Sequence, residues 1–319
     1  MLAGAIGYFV FANVTFLEPT KPFMYTLIAY LTPFLIFAQL LLTFCKISVR
    51  ELMPSPWHGW LLLIQAVSSL VLAALLLWLP MREEYRDVFE GAMVCLICPT
   101  ATAGAAGKGE IRGSAPPRGP AVITGKLGGS ASSLTTYTLL SNLLAAIVVP
   151  LVFPLVEPHA EITFFAAFLK ILGKVFPLLL FPFFLALFLR RFIPPIHRFL
   201  AGLRDMAFYL WAVALAIVTG QTVKSLVNSE AEIYVEILIA LGGLITCIAQ
   251  FYWGKRIGKK YNDRISAGQA LGQKNTVLAI WMSYTYLNPL SSVGPGSYVL
   301  WQNIFNSYQL WKKRKNELE

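Results

Sequence analysis

The stretch "GQALGQKNTVLAIWM", residues 268–282, carries a lysine, two glutamines and an asparagine into what otherwise reads as a membrane-crossing segment. Lys274 follows Arg264 by ten residues, about 15 Å along a helix, which sets it near the centre of a hydrocarbon core about 30 Å thick. A lysine at that depth costs at least about 2.5 kcal/mol on insertion scales, and such residues face a bundle interior, where they mark pathways or counter-ions. Gln269 and Gln273, four apart, share one helical face; Gly272 permits close backbone approach, and Asn275 suits a helix end. The segment therefore reads as a broken helix whose polar groups converge. A plainer alternative pairs the amine with a structural acid such as Glu236.

The rest of the chain supplies the membrane. Of its 319 residues 57% are hydrophobic and 13% charged, against roughly 45–50% and about 25% in soluble domains. That balance excludes an ordinary soluble fold. Long apolar runs separated by short charged clusters continue to about Leu310, so residues 1–319 read as one all-α integral membrane domain. Plain spans fall at 2–17, 22–45, 57–80, 133–156, 162–190, 205–228, 231–253 and 290–311, and irregular ones at 88–133 and 263–287. Together they predict ten crossings. No basic residue precedes Lys21, so the amino terminus lacks the positive region of a cleaved signal and reads as a retained first span.

Ten crossings put sixteen Lys and Arg residues on one side, in clusters around 46–50, 190–204, 255–264 and 312–315 together with Lys126. The other side receives four: Lys21, Arg82, Arg86 and Lys224. The excess places both termini in the cytoplasm of a cell membrane, plasma or bacterial inner. The basic tail "WKKRKNE" is then a topogenic signal, and no nucleic-acid partner is implied. The irregular segments are the fourth and ninth spans, the same position in each half of a five-plus-five chain. An odd number of spans per half inverts one half relative to the other, as in inverted-repeat transporters with broken helices near the midplane.

In the fourth span "CLICPTATA" breaks at Pro99, whose ring removes a backbone donor. Thr100 and Thr102 offer hydroxyls beside it, either to satisfy the kink or to face a substrate. Residues 104–120, "GAAGKGEIRGSAPPRGP", hold five Gly, three Pro and four charges and form a polar insert that cannot sit in lipid. The following "AVITGKLGGSASS", which includes Thr124, reads as the second half of the broken helix. The insert lacks the spacing of a P-loop. Cys95 and Cys98 have no further Cys or His nearby, so no metal site is predicted. Gln65, in "WLLLIQAVSS", reads as an interhelical hydrogen-bonding residue, with a substrate contact as the minority role. No Ser/His/Asp set has usable spacing, which argues against an enzyme.

The runs "CPTATA", "VITGKLGG" and "ALGQKNTVLA" with the closing "WQNIF" resemble the crossing fourth and ninth helices of the bile acid:sodium symporter family. The resemblance covers most of the chain in span order and length. It implies a panel domain of spans 1, 2, 6 and 7, a core domain of spans 3–5 and 8–10, alternating access between them, and substrate beside the crossing. The family's ninth helix typically reads Glu-x-Gly-x-Gln-Asn-Ser; here Ala270 stands at the Glu, Gly272 at the Gly, Lys274 at the Gln, Asn275 at the Asn and Thr276 at the Ser. The Glu and Gln, sodium ligands in that pattern, are gone. In the fourth helix Pro99, Thr102 and Ala103 match, and the family's Ser-Asn pair has no counterpart.

Losing a carboxylate and gaining an ammonium moves the site by two charges in the direction that bound sodium would move it. The leading expectation is a carrier of a small organic anion whose sodium dependence is weakened or lost. Lys274 then acts as a fixed surrogate charge or a proton-coupling group, with Gln65 beside it. Thr100, Thr102, Thr124, Gln269, Gln273, Asn275 and Thr276 are the candidate substrate contacts, Pro99 and Gly272 mark the breaks, and sodium or a proton is the coupling ion. The expected partners are the anion and the lipid bilayer. Two alternatives stay open: a cation/proton antiporter-like protein, and a receptor or scaffold without transport.

Overall fold

A computed structural model describes residues 1–47, 52, 54–101, 120–158, 162–203 and 205–318. Within them the chain is almost wholly helical. α1 (Leu2–Asn13) leads through a 3-10 turn (Thr15–Thr20) into α2 (Lys21–Cys45), and α3 (Pro56–Trp78) precedes α4 (Glu83–Ile97). After the insert come α5 (Pro120–Leu127), α6 (Ala131–Val156), α7 (Phe164–Phe192), α8 (Pro194–Gly202), α9 (Met206–Val227) and α10 (Ile233–Lys259). α11 (Arg264–Gly272), α12 (Thr276–Tyr286), a 3-10 turn (Pro289–Ser292) and α13 (Val293–Leu318) complete the chain.

Six of these, α2, α3, α6, α7, α9 and α10, are long and apolar enough to cross a membrane. The surface is inverted relative to a soluble protein: Phe181, Phe184, Phe188 and Ile245 are exposed while Gln65, Gln269 and Lys274 are buried. Apolar side chains face outward because the surrounding solvent is lipid, and polar groups turn inward because only protein can satisfy them there. The chain is a multi-pass membrane protein.

Three predicted spans differ in detail, one of them 231–253, whose helix α10 continues six residues further to Lys259. The first stops at Asn13 rather than at residue 17: the Asn13 amide bonds back to the Phe9 carbonyl at 2.8 Å, and Val14 turns extended before the 3-10 turn. The last runs seven residues beyond 311, and its first half is lined with polar side chains that are buried against other helices. α8 interrupts what reads as a basic loop; none of its side chains is buried. Its start follows from Pro194 and Pro195, which suit a first helical turn but no later one.

The helices pack in two groups that are joined by extensive contact of α6 with α7 and by contact of α9 with α12. α2 lies against α7 and α9, and α1 against α9. α4 lies against α3, α10 and α13, while α11 lies against α10 and α6. Close approaches hold the second set together: a Cβ on Gly294 would come within 2.8 Å of Gly91 Cα, and one on Gly254 within 2.5 Å of the Ala267 carbonyl. Backbones at such distances gain dispersion contacts that lipid-facing side chains cannot supply.

Candidate functional site

α4 ends at Ile97 and α11 at Gly272, and in each case the chain continues in an extended conformation for a few residues. The two extended pieces meet. The Ala101 N–H donates to the Gln273 carbonyl at 3.0 Å and the Asn275 N–H to the Pro99 carbonyl at 2.9 Å, pairing Thr100 with Lys274 in one antiparallel bridge. Residues far apart in the sequence thus satisfy each other's freed backbone, which a membrane interior demands.

Lys274 is the charge at this junction and is fully buried. Its Nζ donates to the carbonyls of Cys98 at 2.9 Å and Leu96 at 3.2 Å, two of the last acceptors of α4. Gln65 completes that helix end: its Nε2 donates to the carbonyls of Ile97 (2.9 Å) and Cys98 (3.1 Å), and its Oε1 accepts from the Tyr137 hydroxyl at 3.0 Å. A helix C-terminus carries partial negative charge on its unsatisfied carbonyls, and here an ammonium and an amide cover them. The ion pairs among the described residues are Lys21–Glu18, Arg86–Glu90 and Lys313–Glu317. Neither Glu236 nor any other acid is paired with Lys274 among those residues; the amine rests on backbone.

The α11 end is treated reciprocally. The Thr100 hydroxyl donates to the Ala270 carbonyl at 2.5 Å, and the Tyr298 hydroxyl to the Gly272 carbonyl at 2.7 Å. Gly272 is obligatory by space, because a Cβ there would lie 2.4 Å from Phe251 ring atoms. The Thr100 and Lys274 amides find the Ser141 hydroxyl (3.1 Å) and the Gln302 Oε1 (3.0 Å). Asn275 caps α12, its Oδ1 accepting from the Leu278 N–H at 3.3 Å, and Thr276, buried, opens that helix.

Gln269 and Gln273 do share a face, bonded to each other, and the Gln269 amide continues to Asn306 Oδ1 at 3.1 Å. Thr124 is buried but lies elsewhere. Its carbonyl accepts the Gly129 N–H at 2.8 Å, and its methyl group sits beside Gly129 near Ile265 and Ser266, roughly 9 Å along α11 from the break. Thr102 falls outside the described residues, as does nearly all of the 104–120 insert. Cys98 donates its thiol to the Asn275 carbonyl at 3.1 Å, and all four cysteines are buried and free. No group of three His, Cys, Asp or Glu side chains suited to a metal occurs among the described residues.

Five contributors escaped the sequence: Tyr137, Ser141, Tyr298, Gln302 and Asn306. Only the four-residue spacing of Gln302 and Asn306 carried a usable signal. Beside Ser141, Asn142 is fully buried with neither end of its amide hydrogen-bonded among the described residues. Away from the junction, a cavity of about 610 Å³ lies among α1, α2 and α9, and another of about 530 Å³ among α4, α9 and the 289–292 turn. Lys224 and Tyr284 line both, and the Lys224 ammonium sits 3.9 Å above the Tyr25 ring. No family model and no curated protein matches the chain.

Proposed function

We propose that this protein carries a small organic anion across the membrane by alternating access, and that Lys274 supplies permanently the positive charge that sodium supplies in bile acid:sodium symporters. The observation that carries the reading is the Lys274 ammonium seated on the Leu96 and Cys98 carbonyls where the two broken helices meet. In transporters built on broken helices, carbonyls of unwound backbone and half-helix ends coordinate the coupling cation. Those carbonyls are occupied by the amine, and Ala270 offers no carboxylate, so these residues do not fit a sodium ion.

The finer architecture belongs to the same proposal: ten crossings in two inverted halves, with both termini cytoplasmic. It is supported in part by which helices touch, although α7 also packs along α6 and α9 against α12. α1, α2, α7 and α9 correspond to a panel, and α3 to α6 with α10 to α13 to a core. The 530 Å³ cavity lies where α9 faces α4 and the 289–292 turn, while the 610 Å³ cavity lies among α1, α2 and α9 and meets the other group only at Tyr284. A mostly apolar hollow with an ammonium at one wall suits an anion with an apolar body.

The test is uptake by proteoliposomes containing the purified protein, screened against a panel of small carboxylates, with sodium present or replaced by choline. Uptake of at least one carboxylate at the same rate in both media is expected. Uptake that vanishes in choline would overturn the proposal, as would the absence of any uptake across the panel.

A further inference from the structure

In the reading above Lys274 is a fixed charge held on two backbone carbonyls, so it shapes the site without loading and unloading a coupling ion. Coupling needs a group that loads on one side and unloads on the other. We infer that Glu90, buried in α4 against Arg86, is that group and carries a proton.

The side chain of Glu90 has no exposed surface, and neither carboxylate oxygen closes a hydrogen bond with the described residues. Arg86, one turn earlier on the same helix, places Nε 3.4 Å from Oε1. The guanidinium is not committed to Glu90, however. Its other nitrogens donate to the Leu76 carbonyl at 3.2 Å and to the Val156 carbonyl, at the ends of α3 and α6. The remaining charged groups facing Glu90 are acidic: Asp87 on its own helix and Glu157 at the end of α6. The 289–292 turn brings only the backbone amide of Asn288, and α10 and α13 present Ile239 and Gly294 to the adjacent Gly91. A carboxylate so placed has one shared cation, two nearby negative charges and, apart from the approach of Arg86 and the Asn288 amide, no donor among the described residues. Protonation removes the buried charge and leaves Arg86 held by two helix ends.

The route assigned to the proton runs through Asp87. Asp87 lies three residues before Glu90 on the same helical face and lines the 530 Å³ cavity together with Glu83 and Glu84. The step is a simple balance. A solvent proton adds to a Glu90 oxygen by way of Asp87, the acid becomes neutral, and the same proton leaves when the helix is presented to the other side.

The inference rests on the transport reading, but its test needs no substrate. The full chain, reconstituted on a solid-supported membrane, is given a jump from about pH 8 to about pH 6, a range that brackets strongly perturbed buried carboxylates. Wild type is expected to give a transient charge displacement that Glu90→Gln loses, Glu90→Asp keeps with a shifted midpoint, and Glu230→Gln leaves unchanged. A full transient from Glu90→Gln would overturn the inference. Infrared titration of the wild type covers the case in which that variant does not fold. A pH-dependent band of a buried protonated carboxyl that persists in Asp87→Asn supports Glu90 as the carrier, and its absence from about pH 5 to pH 9 overturns it. A transient without uptake of any carboxylate would sink the transport reading and leave the proton site standing. Uptake without a transient would sink Glu90 alone.

Discussion

Lys274 does two jobs that a substitution can separate, since it brings a charge and also donates to two carbonyls. Lys274→Ala leaves the Leu96 oxygen bare inside the protein and the Cys98 oxygen with Gln65 alone. Each hydrogen bond to a charged group is worth about 1.5–3 kcal/mol, so a clear drop in melting temperature is expected. More discriminating is the double variant Ala270→Glu with Lys274→Gln, which places a carboxylate and an amide where the resemblance puts sodium ligands. Its melting temperature is expected to rise with added sodium at constant ionic strength, while that of the wild type stays flat. A flat response from both would show that the ammonium does not stand in for a dissolved cation. At this scale the sequence was partly legible. A lysine ten residues inside a span announces itself because burying it is costly, and so do the glutamines beside it. Ser141 and Tyr298 do not, because hydroxyl side chains are tolerated anywhere in an apolar helix and only the fold decides which carbonyl or amide they meet.

The elements at the junction are fixed by close contact as much as by hydrogen bonds. Gly272→Ala would drive a methyl group into the Phe251 ring at 2.4 Å. Overpacking of this kind costs about 1–3 kcal/mol, and a denaturation series should place the loss there. Pairing it with Phe251→Leu should recover most of that stability, whereas the same partner change added to wild type should only destabilise. The breaks themselves were readable: Pro99 ends α4 by chemistry that does not depend on context, and the polar run after Gly272 cannot continue a lipid-facing helix. Where the first span stops was not readable, because "VTFLEPT" is apolar enough to extend it and the turn depends on Asn13 folding back on Phe9. α8 was missed for a similar reason. A nine-residue helix with no buried side chain leaves little trace in a basic loop.

For the whole molecule, the kind of contact between helices sets what can move. α2, α7 and α9 join the remainder largely through apolar side chains of the main core, surfaces that can slide without leaving backbone groups unpaired. The Thr100–Lys274 pairing is the opposite kind of contact, because any separation there strands amides and carbonyls in a dry interior. Those few bonds act as a rivet through the middle of the protein, binding chain segments that were made far apart. In deuterium labelling the amides of Ala101 and Asn275 should outlast those of α1 and α8, exchanging only when the fold opens globally. A molecule pulled from its two ends should accordingly peel from the outside inward and surrender its centre last.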